Sequence, residues 1–322
     1  MARSLWEQEA LKKLDDFLPE TIFDSHTHIS DPSFINMAHK GGVEYRQDMV
    51  PLLCSPRELR MNHIPFPNPL MADANSSAIP ASDRMLLEEL EQDPGSVGEI
   101  IVHPSETAEQ IEARLTHPRI RGLKCYHTLM GTPDSWNAGI GEYLPEAAWE
   151  VAAKHRLVIT LHMVRDAALA DPGNQKYIQE MAKKYPDVVL ILAHCARSFA
   201  CWTGIEAIET VSHLDNVWYD FSGVCESPSM MQILKKAGVS RCLWGSDYPI
   251  VAMQGKCISL ADSFYWIYPR DLEKFTSPTP IHSWPMTMEN TMAVRQAFTL
   301  LDLTRKDAED FFWNNAMRLF KP

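Results

Sequence analysis

The sequence predicts an α/β fold, a single (β/α)8 TIM barrel over residues 1–322 with a metal site at the C-terminal mouth of its strands. Short, nearly continuous apolar segments alternate with amphipathic ones, which is typical of parallel strands buried on both faces. Several apolar segments end in a histidine, lysine or aspartate at intervals that match a barrel. Length alone would permit two domains, but α/β barrels of this size routinely form one.

Eight apolar segments are the candidate strands. In chain order they are Thr21–Ser25, Met61–Phe66, Gly98–Val102, Ile120–Tyr126, Leu157–His162, Val188–His194, Val217–Phe221 and Cys242–Gly245. Because these segments are short and apolar, they predict a parallel sheet buried on both faces rather than a sheet with one solvent-exposed face.

Amphipathic segments between and around these strands predict the helices. They are an N-terminal helix, Ser82–Gln92 with Ser82 as its N-cap, Glu106–Leu115, Glu142–His155, Asn174–Tyr185, Gly204–Ser212, Ser229–Ala237, and two C-terminal helices at Met288–Leu301 and Thr304–Phe320. Two stretches rich in proline, 30–80 and 248–287, are predicted to be long loops that set substrate choice.

The polar residues at the strand ends have the spacing of βα units. His26 and Asp247 are 221 residues apart, which gives about 32 residues for each of the units between a first and an eighth strand. Lys124, His162 and His194 fall at intermediate strands with compatible gaps. All of them should therefore gather at one mouth of the barrel, where such enzymes keep their chemistry.

His26 and His28 stand in the segment F-D-S-H-T-H-I-S. Residues at i and i+2 of a strand point to the same side, so both imidazoles should face the barrel interior. Hydrogen bonds to backbone could satisfy them, but together with the other polar strand ends they favour a divalent cation. Nitrogen and carboxylate ligands suit Zn²⁺ and related metals, and the gathered ligands would be His26, His28, His162 and Asp247.

Composition limits the partners. A net charge of −12 argues against nucleic acid or an anionic membrane, so we expect a small-molecule substrate. Seven cysteines without a Cys-x-x-Cys indicate reduced thiols. With no signal peptide and no apolar run of about 18 residues, we expect a cytoplasmic protein. We also expect a homodimer, with the aromatic segment 264–269 forming either a cap on the pocket or an interface.

The pattern resembles the amidohydrolase superfamily. F-D-S-H-T-H is similar to its first-strand H-x-H, and L-H at 161–162, A-H at 193–194 and W-G-S-D-Y-P at 244–249 resemble its fifth, sixth and eighth strands. The ending D-F-F-W-N-N-A-M-R-L-F is similar to the closing helix of the amidohydrolase-related (amidohydrolase 2) branch. That branch includes decarboxylases of aromatic acids and of aminocarboxymuconate semialdehyde, lactonases and hydratases.

The resemblance implies a role for each position. His26, His28 and His162 would be metal ligands, and Asp247 both ligand and proton carrier. His194 would be a catalytic acid or transition-state stabiliser, or a ligand of a second metal. Lys124 would be either a carboxylated lysine bridging two metals or a group that binds a substrate carboxylate. The cofactor would be Zn²⁺, as one ion or two.

The function expected from the sequence is a metal-dependent hydrolase acting on a carbonyl of a small carboxylated or cyclic substrate. Such a metal lowers the pKa of bound water from ~16 to ~7. Arg165 and Arg197, each three residues past a site histidine, would bind a substrate anion or form surface ion pairs. A decarboxylase or hydratase with the same residues is the first alternative, and a metal-free lactonase or a non-catalytic binding barrel is the second.

Overall fold

The computed structural model of the protein describes residues 5–30, 57–274, 281 and 283–322. Eight strands of this part form one sheet in sequence order, and each neighbouring pair is parallel. The strands are β1 (Thr21–Ile29), β2 (Glu58–Pro65), β3 (Val97–Val102), β4 (Ile120–Cys125), β5 (Val158–Leu161), β6 (Leu190–Leu192), β7 (Val217–Asp220) and β8 (Cys242–Leu243).

Backbone hydrogen bonds between β1 and the chain after β8 close the sheet into a barrel. Asp247 N donates to His26 O at 2.8 Å, and His28 N donates to Tyr248 O at 2.7 Å. The predicted (β/α)8 barrel is confirmed. Because these bonds involve predicted site residues, the contacts that close the barrel also bring the site residues together.

Helices flank the strands and pack their apolar faces on the outside of the sheet. They are α1 (Leu5–Phe17), α2 (Ala78–Gln92), α3 (Ala108–Ala113), α4 (Ile140–Tyr143), α5 (Glu146–His155), α6 (Pro172–Lys184), α7 (Cys201–Ala207), α8 (Ser227–Ala237), α9 (Pro269–Leu272), α10 (Met286–Leu300), α11 (Arg305–Glu309) and α12 (Asn315–Phe320). A π-helical turn, Asp310–Asn314, joins the last two.

Two of the differences from the predicted helices have clear local causes. Ser82 does not cap α2: the helix begins at Ala78, and the Ser82 hydroxyl donates to Ile79 O at 2.8 Å inside it. Pro80 is tolerated there because the first helical turn needs no donor from it. The predicted helix Glu142–His155 is two helices, α4 and α5, because Pro145 ends one and precedes the other.

The two predicted long loops contain regular structure. In the first, residues 31–56 lie outside the described residues, and the rest contributes β2 and the start of α2. In the second, β9 (Lys256–Leu260) and β10 (Ser263–Ile267) form an antiparallel hairpin. Its period-two alternation turns Phe264 and Trp266 towards Phe199 of the barrel, so this hairpin forms a wall above the strand ends.

The opposite end of the barrel is covered by α12. Phe320 stacks on Phe23 of β1 with ring centroids 5.4 Å apart, and Ala316 packs into the same apolar cluster. That cluster also holds Val97 and Val158, the first residues of β3 and β5. The amino ends of the strands are thus sealed with apolar groups, and the carboxyl ends remain for chemistry.

Two further features concern the described residues alone. None of their helices is long and apolar enough to cross a membrane. Their cysteines are free and buried, in agreement with the predicted reduced thiols, while Cys54 lies outside the described part of the chain.

Asn315 ties α12 to the chain that leads into β8. Its buried Nδ2 donates to Val239 O at 2.8 Å and Cys242 O at 2.9 Å. We expect Asn315→Ala to lower the free energy of unfolding by about 1–3 kcal/mol, because the buried Cys242 carbonyl and the half-buried Val239 carbonyl lose their donor. Urea unfolding measures this. The control Asn314→Ala, whose exposed amide contacts only Asp310, should stay within about 0.5 kcal/mol of the parent; equal losses in both variants would contradict the assignment.

Candidate metal centre

His26 and His28 of β1 share the carboxylate of Asp247. Both rings are buried, their centroids are 4.9 Å apart, and His28 Nε2 lies 3.1 Å from Asp247 Oδ1. His26 Nε2 lies 3.8 Å from the same oxygen. The i, i+2 spacing on a strand therefore aims both imidazoles at one carboxylate, as predicted.

His194 reaches the same place through an unusual backbone conformation. The strand β6 ends at Leu192, not at His194 as predicted, and residues 194–197 all have positive φ, between 53° and 59°. This left-handed turn costs roughly 1–2 kcal/mol for each non-glycine residue, so surrounding contacts must hold it. Its result is that the His194 ring stacks on His26 with centroids 5.1 Å apart.

His26, His194 and Asp247 form a compact buried group. One ligand atom from each lies within 4.8 Å of the other two, an arrangement that could hold a metal ion. The predicted ligands His28 and His162 are close but not part of this group. The His162 ring follows β5 and meets His194 edge-on at 5.2 Å. From the sequence, His194 is expected to be a catalytic residue or a ligand of a second metal, whereas the geometry places it beside His26.

Hydrogen bonds fix which nitrogen of each histidine faces the group. His26 Nδ1 lies 2.7 Å from Asp220 Oδ2, and His194 Nδ1 lies 3.1 Å from the carbonyl oxygen of Ser222. Both partners only accept, so Nδ1 carries the proton in each ring. The Nε2 lone pairs then face the group, which is the usual arrangement of histidine ligands, although the Lys124 ammonium lies 3.1 Å from that of His26.

His28 differs from these two histidines, because acceptors face both of its ring nitrogens. Its Nδ1 lies 3.2 Å from the Ile64 carbonyl, and its Nε2 faces Asp247 Oδ1. Because both of these partners only accept, a neutral His28 leaves its one lone pair against either the Ile64 carbonyl or the Asp247 carboxylate. A shared proton or a divalent cation resolves that repulsion, and the donor set therefore fits a metal.

The charge states also suit metal binding. Burial, and then the nearby Lys124, hold the pKa of His26 well below its usual value, and burial likewise lowers the pKa of His194. Burial alone would raise the pKa of Asp247, but His194 and the hydrogen bond from His28 bring it below the usual range. Neutral imidazoles beside an ionised carboxylate are the forms that bind Zn²⁺-like ions.

Lys124 is wholly buried on β4. Its Nζ lies 3.1 Å from His26 Nε2 and 5.1 Å from the centre of the Tyr126 ring. Burial lowers the pKa of Lys124, and the carboxylate of Glu99 opposes that effect. Lys124 thus belongs to the buried group around His26 and is not among the described residues that line the cavity.

Glu99 and Asp220 are buried carboxylates that the sequence analysis did not single out. Glu99 Oε1 accepts hydrogen bonds from Asn62 and Thr160, each at 2.7 Å. Burial raises the pKa of Glu99 to about 7. A signal existed for both: each is a carboxylate in an otherwise apolar strand, in G-E-I-I-V and V-W-Y-D.

A cavity of about 750 Å³ opens above the group, and six aromatic side chains contribute to its wall. His28, His162, His194 and Asp247 reach it from the barrel. The aromatic lining residues are Phe66, Tyr126, Trp136, Phe199, Phe264 and Trp266. The aromatic segment 264–269 therefore contributes to the pocket wall, the first of the two expectations for it, and the predicted dimer stays a prediction.

Of the two predicted anion binders, Arg197 lines the cavity and Arg165 does not. The Arg197 guanidinium lies 5.7 Å from the Trp136 ring centre and 5.6 Å from that of Phe264. Within the described chain no carboxylate oxygen lies within 4.0 Å of it, although its side chain is only 8% exposed. Arg165 instead pairs with Asp171 at 2.8 Å, the ion-pair alternative considered for it.

Tyr126 and His127 are further polar residues on the cavity wall. Among the residues that the structure describes, the buried Tyr126 hydroxyl has no hydrogen-bond partner. His127 Nδ1 contacts Ser135 Oγ at 3.0 Å, and burial, then Arg197, lower the pKa of His127 to about 4. Lys124 and Tyr126 repeat the i, i+2 spacing of the two β1 histidines, a signal that could have drawn attention to Tyr126.

The family model described as amidohydrolase (Amidohydro_2) matches residues 23–321 of the chain. No protein with a curated description matches significantly. Solved structures with the same fold include a zinc-bound amidohydrolase from Burkholderia multivorans, 13% identical, with a TM-score of 0.60 over 94% of this chain and 99% of that one.

Two other similar structures are enzymes of different reaction classes. One is a 5-carboxyvanillate decarboxylase from Novosphingobium aromaticivorans with bound manganese, 12% identical, with a TM-score of 0.60 over 94% of this chain and 97% of that one. The other is a putative 2-pyrone-4,6-dicarboxylic acid hydrolase from Pseudomonas putida, 16% identical, with a TM-score of 0.56 over 94% and 98%. At these identities the likeness establishes the fold.

Glu99 should make stability depend on pH. Its pKa rises from 4.5 to about 7 on folding, so its contribution is fully present below about pH 4.5 and is lost as pH rises to about 7. In the parent, the free energy of unfolding should therefore fall by up to about 3 kcal/mol over that range. We expect Glu99→Gln, which keeps an acceptor for Asn62 and Thr160, not to show this fall. Unfolding with chelator present, from pH 4.5 to 8, measures the parent–variant difference. A difference that stays constant with pH would refute this role.

Proposed function

The chain belongs to the amidohydrolase family, and we propose that it is a metal-dependent hydrolase that cleaves an amide or lactone bond in a small carboxylated substrate. The observation that carries the proposal is the buried group of His26, His194 and Asp247, which lies next to a cavity containing Arg197. The group suits a metal and a polar reacting centre, and the arginine suits an anion.

We propose that His26, His194 and Asp247 hold Zn²⁺, with His28 and His162 beside them. Among the described residues this is the one such group, which supports one ion and leaves Lys124 as a buried neighbour. When bound, such an ion supplies Lewis acidity and an acidic water at neutral pH. Manganese is the runner-up, because nitrogen and carboxylate donors accept both metals.

Asp247 is placed to carry the proton. Its carboxylate is ionised and faces the cavity, with His28 Nε2 3.1 Å from Asp247 Oδ1. We propose that Asp247 accepts a proton from the attacking water and passes it to the leaving group. His194 holds its Nδ1 proton on Ser222, so its Nε2 is an acceptor and suits a ligand better than an acid.

Arg197 is the residue proposed to bind the substrate carboxylate. Its guanidinium is fixed between two aromatic rings, and Nη1 donates to the Arg165 carbonyl at 2.8 Å. Among the described residues its guanidinium makes no ion pair, and Asp166 acts on it only from farther away, so an anionic ligand would give it a direct charged partner. His127 stands nearby in its neutral form and adds a hydrogen-bonding group without charge.

A non-oxidative decarboxylase is the second candidate. It is favoured by the aromatic cavity walls, which suit a planar acid, and by the fold shared with a decarboxylase. The same proton carrier would serve, with Asp247 delivering a proton to carbon. The two candidates differ in product. Hydrolysis converts an amide to a carboxylic acid and an amine, or a lactone to a hydroxy acid, whereas decarboxylation releases CO₂.

The test is a substrate panel with the metal-loaded protein. We expect the protein to bind about one equivalent of metal and to turn over a carboxylated amide or lactone, with proton release as the readout. In parallel, CO₂ release is measured with aromatic acids as substrates. Asp247→Asn should lower turnover by about 10²–10⁴-fold, because the proton carrier is lost, while the exposed Asp215→Asn control should retain parental turnover. Full activity in chelated, metal-free protein, or in Asp247→Asn, would refute the hydrolase proposal, and CO₂ release alone would favour the lyase.

Arg197→Met should raise KM for a carboxylated substrate about 10- to 100-fold, because one charged hydrogen bond is lost. The uncharged methyl ester of that substrate should show no such change. The matched control is Arg165→Met, which removes the other arginine at the third position past a site histidine and should change KM only a few-fold. Equal effects on acid and ester would remove Arg197 as the carboxylate-binding residue.

A further inference from the structure

β7 carries no predicted ligand, yet the segment Asp220–Gly223 at its end hydrogen-bonds to His26 and His194 and passes close to Asp247. We propose that this segment positions the group, with Asp220 as the residue that orients His26. The inference rests on the proposed metal role of His26, His194 and Asp247. It concerns residues that act through those ligands rather than on the substrate.

Asp220 is held in one orientation by its neighbours. Its Oδ2 accepts from His26 Nδ1 at 2.7 Å and from Ser222 Oγ at 2.5 Å, and its Oδ1 accepts from Ser222 N at 2.9 Å. The carboxylate is 1% exposed. A Cβ at Gly245 would come within 2.5 Å of Asp220 Oδ1, so the glycine of W-G-S-D provides the space that this carboxylate occupies.

The bond from His26 has a chemical consequence. A carboxylate at Nδ1 keeps the proton on that nitrogen and increases the electron density at Nε2. It also prevents the ring from rotating away from Asp247 and His194. Without it, His26 would have no other carboxylate or carbonyl partner at Nδ1 among the described residues; only the Ser222 hydroxyl, at 3.2 Å, would remain.

Ser222 and Gly223 serve the other two members. The Ser222 carbonyl accepts from His194 Nδ1 at 3.1 Å, which fixes that ring in the left-handed turn. Gly223 has φ of +69°, and a Cβ there would lie 3.3 Å from Asp247 Oδ2 and 3.5 Å from His194 Nδ1. Three residues of this segment thus orient one histidine, anchor the second and leave room for the carboxylate.

A purely structural role would predict something different. A buried carboxylate–histidine pair can stabilise a fold without serving any ligand, and the chain holds such a pair for comparison. His63 Nε2 lies 3.1 Å from Asp93 Oδ2, both side chains are buried, and Asp93 precedes β3, at the end of the barrel opposite the metal group. Asp93→Asn is therefore a matched control for Asp220→Asn.

The experiment measures metal affinity by competition with a chelating dye, using the full-length protein and Zn²⁺ as the probe. We expect Asp220→Asn to bind Zn²⁺ about 10- to 100-fold more weakly than the parent, and Asp93→Asn to bind within about two-fold of it. With Co²⁺ substituted, the visible absorption bands of Asp220→Asn should shift, whereas those of Asp93→Asn should not.

Ser222→Ala keeps the carboxylate and covers the case in which Asp220→Asn does not fold. It removes the hydroxyl that donates to Asp220 and that lies 3.0 Å from His194 Nδ1 and 3.2 Å from His26 Nδ1, and a few-fold loss of Zn²⁺ affinity is expected from this segment's positioning role. Parental affinity and spectra in a folded Asp220→Asn, or, if that variant does not fold, in Ser222→Ala, would overturn the proposal. Absence of Zn²⁺ binding in the parent would instead refute the proposed function, so the two failures are distinguishable.

Discussion

The backbone closure between β1 and the chain after β8 is the interaction on which the rest of this molecule depends. The amide of Asp247 bonds to the carbonyl of His26, and the amide of His28 bonds to Tyr248. These bonds complete the barrel and set the distance between the carboxylate and both imidazoles. A register shift of one residue would turn His26 and His28 away from the interior together, because side chains alternate along a strand. The fold and the metal centre therefore share one constraint.

The interior is polar where a barrel is normally apolar, and this polarity is tolerated because each charge has partners. Lys124 stands at His26, Asp220 accepts from the same ring, and Glu99 is hydrogen-bonded to Asn62 and Thr160. Isolated buried charges would cost several kcal/mol each. The raised pKa of Glu99 is the remaining sign of that cost. We interpret this network as one that lowers the stability of the fold in exchange for a cation-binding centre. The apolar cluster around Phe23 and Phe320 stabilises the opposite end of the barrel.

Much of this could be predicted from sequence, and the misses have physical reasons. Strand alternation placed His26 and His28 on one face, and βα spacing brought Asp247 to the same mouth. His194 was assigned to a strand end because local pattern does not reveal a left-handed turn built without glycine. Asp220 was passed over because its importance lies in a partner 194 residues away. Arg165 and Arg197 have equivalent positions in sequence, and only tertiary contacts with Asp171 and the aromatic wall separate them.

The left-handed turn gives the site a coupling that neither strand nor helix would provide. His194 and Arg197 stand at its two ends, one in the metal group and the other on the cavity wall. Ser222 holds the first through its carbonyl, and the Arg165 carbonyl holds the second. A right-handed helical turn would need different φ values at all four residues, and both side chains would leave their partners. The strain of the turn is thus offset by the contacts at its ends, and an anion bound at Arg197 would add to them. Substrate and metal would then favour the same backbone conformation, each making the other's site more rigid.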